Sequence, residues 1–245
     1  MTWVKICGIT NLEDALVAAE AGADAVGFVF YEKSPRKVSV EAAREIVEKL
    51  PEDVEKVGVF VGHSVDDAAD VIISVGLTAI QHYPFSEIGS GADHQKATVS
   101  SIFPRPIKYF IAFPADFFLA DPDRISGLAS NFAHLRDDIA GRPPTRKGYS
   151  ETFFLDSGGL QNPGGTGKSF DWEKAVPIAD GLRLGGLKFV IAGGLRPENV
   201  KEAIGILQPW GVDVASGVEV RPGKKDPEKV QAFVRAVREI DRKAG

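Results

Sequence analysis

Two side chains in this sequence stand where a proton could be moved. Cys7, the only cysteine among 245 residues, follows the short apolar run Trp3-Val4-Lys5-Ile6 and precedes Gly8. A thiol at the carboxyl end of a strand is most often a small buried hydrophobe. Serving as a base requires more: its thiolate must be favoured by nearby helix amides or a cation. Asp156 ends a second apolar run, Phe153-Phe154-Leu155. An isolated aspartate commonly caps a helix or pairs with a cation. At the rim of an apolar wall, however, burial raises its pKa and suits it to donating a proton near neutral pH. Arg36, after Ser34-Pro35, is either a solvated loop residue or a forked clamp for a substrate carboxylate.

These residues must be positioned by the elements around them. Short apolar runs at 3–7, 25–30, 57–61, 79–81, 107–113, 152–156, 188–192 and 212–215 are expected to form strands. Helical spacing or caps mark intervening helices. Thr10 with Glu13 fits a capping box opening a helix from about Asn11, closed by Gly22 at C′. Ser39 and Ser64 are expected to cap the next two, the second stopping near Gly76. Further helices are expected over 123–140, 171–180, 197–207 and 227–243, the last capped by Asp226 with Pro227 at its first position. Eight strands alternating with helices imply a single (β/α)8 barrel over 1–245, with an enlarged segment between strands four and six. An open doubly wound sheet is the competing arrangement.

In a barrel, chemistry sits where strands run out into the following loops. Glycine clusters occupy such places after the last three strands: Gly164-Gly165-Thr166-Gly167, Gly193-Gly194 and Ser216-Gly217. Glycine admits close backbone approach, and amides at a helix start donate to anions. Any one cluster is more simply a tight turn, but three at one end of a barrel point to phosphate binding. Gly165, Thr166, Gly193, Gly194, Ser216 and Gly217 are the residues expected to take it. Period two also places Lys5 one layer below Cys7, inside the barrel. An unpaired ammonium there would be costly, and Asp213, on the strand that closes against the first, is its expected partner.

Composition narrows the function classes. A net charge of -5 offers no basic face for nucleic acid. No apolar run reaches the length of a membrane span. One cysteine cannot form an internal disulfide, and a polar helix follows the amino terminus almost at once, so a cytoplasmic protein without a signal peptide is expected. His63, His82, His94 and His134 lack metal-ligand spacing, and no dinucleotide fingerprint is present. Nothing here calls for a metal or a cofactor.

Several motifs together resemble the phosphoribosylanthranilate isomerase family. They are Lys5-Ile6-Cys7-Gly8-Ile9-Thr10, Gly27-Phe28-Val29-Phe30 with Ser34-Pro35-Arg36, Leu155-Asp156-Ser157, and Gly164-Gly165-Thr166-Gly167 with Phe170-Asp171-Trp172. Ala192-Gly193-Gly194-Leu195, Val212-Asp213-Val214, Ser216-Gly217-Val218-Glu219 and Gly223-Lys224-Lys225-Asp226 complete the set. The resemblance implies a cofactor-free Amadori rearrangement of a small phosphorylated substrate, a step of tryptophan biosynthesis. It assigns Cys7 as general base, Asp156 as general acid, Arg36 to the anthranilate carboxylate and the glycine clusters to the phosphate.

One segment departs from that pattern. Where the family has Gln-Leu-His-Gly after strand four, this chain has Gln81-His82-Tyr83-Pro84. Either His82 or Tyr83 stands in the histidine's place, and proline stiffens a loop that glycine would let bend. Two rival readings remain. A related phosphosugar-isomerising barrel would suit the departing fourth loop. A catalytically silent phosphate-binding barrel would have no use for both Cys7 and Asp156.

Overall fold

The strands of this chain are apolar on both faces, so each must be covered twice. The computed structural model describes residues 1–62, 65–83, 107–121, 124, 149–158 and 167–244. It meets that demand with a closed barrel of parallel strands. The strands are β1 (Trp3–Cys7), β2 (Ala25–Val29), β3 (Glu55–Val61), β4 (Ala79–Tyr83), β5 (Lys108–Pro114), β6 (Tyr149–Asp156), β7 (Lys188–Ala192) and β8 (Gly211–Val214). Each pairs with the next, and β8 returns to β1 with Trp3 opposite Gly211 and Lys5 opposite Asp213. Around them lie α1 (Leu12–Glu20), α2 (Val40–Val47), α3 (Val65–Val75), α4 (Ala115–Leu119), α5 (Val176–Leu184), α6 (Val200–Leu207) and α7 (Pro227–Ala244). A small antiparallel hairpin, β9 (Glu219–Arg221) with β10 (Lys224–Lys225), follows β8.

Alternation along the strands sorts the apolar residues into two layers. Ala25, Val57, Ala79, Phe110, Phe154 and Val190 fill the bore. Ile6, Phe28, Phe60, Phe153, Phe189 and Val212 point outward under Ala15, Ile46, Ile72, Ile178, Ala203 and Phe233 of the helices. The amino-terminal end of the bore is plugged by Trp3. Its ring stacks on Trp210 with centroids 5.2 Å apart and meets Phe110 and Phe154 edge-on at 5.8 and 6.1 Å. Above this plug sits Lys5, fully buried, with Nζ 2.9 Å from Asp213 Oδ1. The expected Lys5–Asp213 pair is therefore present.

Several local expectations are corrected. The cap of α1 is Asn11, not a Thr10–Glu13 box. Asn11 Oδ1 accepts from the Asp14 amide at 3.0 Å, and its Nδ2 donates to the Asp14 carboxylate. Thr10 and Glu13 are drawn off by the hairpin instead: Thr10 donates to the Gly223 carbonyl, and Glu13 pairs with Lys224. Helix α5 begins at Val176 rather than 171, because Pro177 has no amide to give and fits only a first turn. Likewise α6 begins at Val200 rather than 197. Asn199 accepts from the Arg196 amide and donates to the Gly194 carbonyl, which holds 194–199 as a turn. Ser39 caps α2, and Asp226 accepts from the Glu228 and Lys229 amides at the head of α7, both as expected. The Ser64 cap and nearly all of the helix expected over 123–140 lie outside the described residues.

The reassigned cap has a measurable consequence. Asn11→Ala should destabilise the protein by about 1 kcal/mol in urea unfolding. Glu13→Gln, at a carboxylate that faces solvent, should leave the urea midpoint where it is.

Candidate active site

The carboxyl ends of the strands surround one cavity. Cys7 from β1, Tyr83 from β4, Asp156 from β6 and Asp213 from β8 line it, with Val29, Val59 and Val61 as its apolar wall. All four polar groups are buried. They share the bore-facing phase of their strands, which period two dictates once the register is set.

Asp156 is held at both oxygens. Oδ1 accepts from the Gly158 amide at 2.8 Å, and Oδ2 accepts from the Tyr83 hydroxyl at 2.6 Å. Burial holds the carboxyl above its usual range, with Asp213 adding to the effect. The two hydrogen bonds and the more distant Lys5 ammonium pull the other way without cancelling it. Burial thus makes Asp156 a weaker acid than a solvent-exposed aspartate.

The fourth strand resolves the alternative its sequence left open. Gln81 and Tyr83 point into the bore, while His82 points outward and shares a 2.8 Å contact between its Nδ1 and the Tyr109 hydroxyl. Tyr83, not His82, stands at the site. Burial pushes its phenol well above the usual range, and the Asp156 charge adds to this, so it remains a hydroxyl donor. Gln81 Nε2 donates to it from below at 3.2 Å.

Cys7 lies in the same cavity beside the buried ammonium. Burial pushes the thiol up, Lys5 draws it down, and Asp213 pushes it up again, leaving it above its ordinary value. Lys5 itself is opposed by burial, but Asp213 and Cys7 outweigh that cost and hold its charge firmly.

Arg36 also lines the cavity, and it is not a solvated loop residue. Its Nε and Nη2 donate to the two oxygens of Glu219 at 2.9 and 2.7 Å, a bidentate pair. Lys225, fully buried, donates to the same carboxylate at 2.8 Å and to the Ala215 carbonyl. Burial opposes the charge on Glu219, yet its two cations hold it below the usual carboxylate range. For Lys225 burial prevails, and its ammonium sits below its ordinary value despite Glu219. Two of the three guanidinium nitrogens of Arg36 are therefore committed, and among the described residues no bond engages Nη1. The sequence pointed to Arg36 but not to Glu219 or Lys225 as its supports, since nothing local links a hairpin at 219–225 to a loop at 36.

Among the glycines, Gly193 and Gly194 line the cavity with Ser216. Their loops pack backbone against backbone. A Cβ on Gly194 (φ +65°) would fall 2.3 Å from the Ser169 amide nitrogen, and one on Gly217 would fall 1.8 Å from the Leu195 oxygen. Gly217 thus serves loop-on-loop packing and does not itself line the cavity. Gly165 and Thr166 lie outside the described residues.

A buried carboxyl and a thiol share the carboxyl-terminal mouth of a closed parallel barrel, so the protein is of the (β/α)8 class. Comparison with known proteins gives the family. The family model described as N-(5'phosphoribosyl)anthranilate (PRA) isomerase matches residues 4–83 and 134–236, leaving out the segment that follows Tyr83. The N-(5'-phosphoribosyl)anthranilate isomerase of Citrifermentans bemidjiense is 39% identical over 240 residues, covering 98% of each chain. The crystal structure of phosphoribosyl anthranilate isomerase from Thermotoga maritima is 35% identical, with a TM-score of 0.73 over 98% of this chain and 100% of its own. Another similar structure, 34% identical with a TM-score of 0.70 over 98% of this chain and all of its own, is of the isomerase in complex with reduced 1-(o-carboxyphenylamino)-1-deoxyribulose 5-phosphate. The chain belongs to the N-(5'-phosphoribosyl)anthranilate isomerase family.

The Tyr83 bond makes a prediction for the acid. A donor to a carboxylate favours the charged form, so removing it must raise the carboxyl midpoint. Tyr83→Phe should move the Asp156 titration, followed by 13C NMR of carboxyl-labelled aspartate, to higher pH. By leaving a buried oxygen unpaired it should also lower stability by about 1–3 kcal/mol.

Proposed function

We propose that this chain isomerises N-(5'-phosphoribosyl)anthranilate to 1-(o-carboxyphenylamino)-1-deoxyribulose 5-phosphate in tryptophan biosynthesis, with Asp156 as acid and Cys7 as base. The observation that supports the assignment of roles is the meeting of a buried Asp156, its carboxyl held above the usual range, and the Cys7 thiol in one cavity.

The steps balance with these two groups alone. Asp156 gives its proton to the ribose ring oxygen as the bond from that oxygen to C1 breaks. The anthranilate nitrogen lone pair forms the double bond to C1, leaving an open-chain iminium. The Cys7 thiolate then takes the proton on C2, and that electron pair neutralises the iminium to give an enolamine. Cys7 then gives its proton to C1 and Asp156 takes the proton of the C2 hydroxyl, which yields the ketone and returns both groups to their starting states. Each step moves a proton, which is the work general acids and bases do.

The remaining contacts place the substrate. Arg36, braced by Glu219, offers Nη1 to the anthranilate carboxylate. Gly193, Gly194 and Ser216 on the cavity wall, with the 3-10 turn Ser216–Val218, offer amides to the phosphate. Among the described residues no helix is long and apolar enough to cross a membrane. We place the chain in the cytoplasm, where the lone thiol stays reduced.

Fluorescence decay of freshly made phosphoribosylanthranilate tests the assignment directly. The parent chain should consume it, and absence of turnover would overturn the proposal. Cys7→Ser and Asp156→Asn should each lower kcat by about 10²–10⁴-fold. Full activity in Asp156→Asn would keep the reaction and discard the acid.

A further inference from the structure

Lys5 carries a charge that none of the steps above uses, in a place where a charge is hard to keep. It has no exposed surface, and its Nζ lies 5.4 Å from the centre of the Phe154 ring. The Asp213 carboxylate accepts from it at 2.9 Å. Two residues apart on β1, Lys5 and Cys7 project into the bore together, and the backbone of Gly27 on β2 leaves the space in which they meet. A Cβ on Gly27 would stand 2.8 Å from Cys7 Sγ, 2.9 Å from Lys5 Cε and 3.1 Å from Lys5 Nζ. The long lysine therefore curls up to the level of the short thiol, and its ammonium stands with the sulfur over Gly27, where its charge draws the thiol down.

We infer that Lys5 is the positioning residue of the base: its buried ammonium stands beside the Cys7 sulfur and makes the thiolate available there. The inference rests on Cys7 being the base of the proposed reaction.

The other charged or titratable groups around the sulfur do not serve as well. Asp213, on β8, has the wrong sign for a thiolate, although it is what keeps Lys5 charged in the interior. Lys225, from the hairpin, has the right sign but is engaged by Glu219 and the Ala215 carbonyl. Tyr83, on β4, gives its hydrogen to Asp156, and Arg36 gives two of its edges to Glu219. Asp156 itself is a second potential negative charge on the cavity wall. Lys5 is thus the cation that meets the sulfur in the space over Gly27. Coulomb attraction between neighbouring charges is stronger where water is excluded. Asp213 tempers that attraction by sharing the ammonium, and so keeps the thiolate basic enough to take a proton from carbon.

Because Cys7 is the only cysteine of the chain, alkylation by iodoacetamide reports on it alone. In Lys5→Met the midpoint of the alkylation rate against pH should move upward, and alkylation near neutral pH should slow about tenfold, the effect of one unit in thiol pKa. Turnover by Lys5→Met should fall in kcat with little change in KM, since the lysine does not touch the substrate. Lys5→Met leaves Asp213 buried without its partner, so the double variant Lys5→Met/Asp213→Asn is the fold-safe form, with both charges removed. Its midpoint should also rise. A folded double variant with the parent's alkylation profile would overturn the inference. Alkylation needs no substrate, so a parent chain inactive on phosphoribosylanthranilate would reject the proposed reaction and leave this result standing on its own.

Discussion

An ammonium in the middle of a barrel needs a counter-charge, and here the requirement joins the two ends of the chain. Lys5 and Asp213 are 208 positions apart in sequence and meet because β8 closes onto β1. Removing one partner of a buried pair leaves a charge uncompensated, typically at several kcal/mol. Closure of the barrel and survival of the pair therefore depend on each other. The pair also fixes register. A slip of one residue along β1 would turn Lys5 out into the apolar layer under the helices and turn Cys7 away from the bore. With that register held, Trp3 falls at the plug, Lys5 above it, and Cys7 at the mouth.

A second charged cluster organises the rim in the same manner. Glu219 on the hairpin gathers Arg36 from the second loop and the buried Lys225 from its own hairpin. The guanidinium is thereby held in one plane before any ligand arrives, and preorganised donors of this kind need no rearrangement when charge develops. The hairpin is secured in turn by Thr10, Glu13 and Asp14, so the start of α1 and the loop after β8 are built as one piece. Small residues do comparable work on the far side of the mouth. There the loops after β6, β7 and β8 touch backbone to backbone at Gly194 and Gly217, where any side chain would force them apart.

Much of this was legible in the residues because it follows from local pattern. Apolar runs separated by helical spacing mark the strands, and the side-chain period of two puts Lys5 and Cys7 on one face. The Lys5–Asp213 pair could be read ahead of the structure, since a lysine inside a barrel strand needs a partner on a neighbour. Gly22, Ser39 and Asp226 behave as their types suggest, because capping is decided within a few residues. Asn11 was passed over for Thr10 where two capping residues stand side by side. The hairpin, remote in sequence, decided between them.

By itself, then, the sequence determined the alternation of strands and helices, the faces of the strands, the family, and the places of Asp156 and Cys7 at the ends of their strands. Each depends on residue type and short-range periodicity. Only the tertiary structure decided what those groups touch. Tyr83 rather than His82 reaches Asp156, because the bore phase of β4 is set by its neighbours in the barrel. Arg36 is braced by Glu219 and Lys225, and Lys5 bends to the level of the Cys7 sulfur because Gly27 leaves room for both. These are long-range contacts made in a space that exists only once the barrel has closed. The pKa values of an acid and a base answer to that space, through burial and neighbouring charge, and not to the residues beside them in the chain.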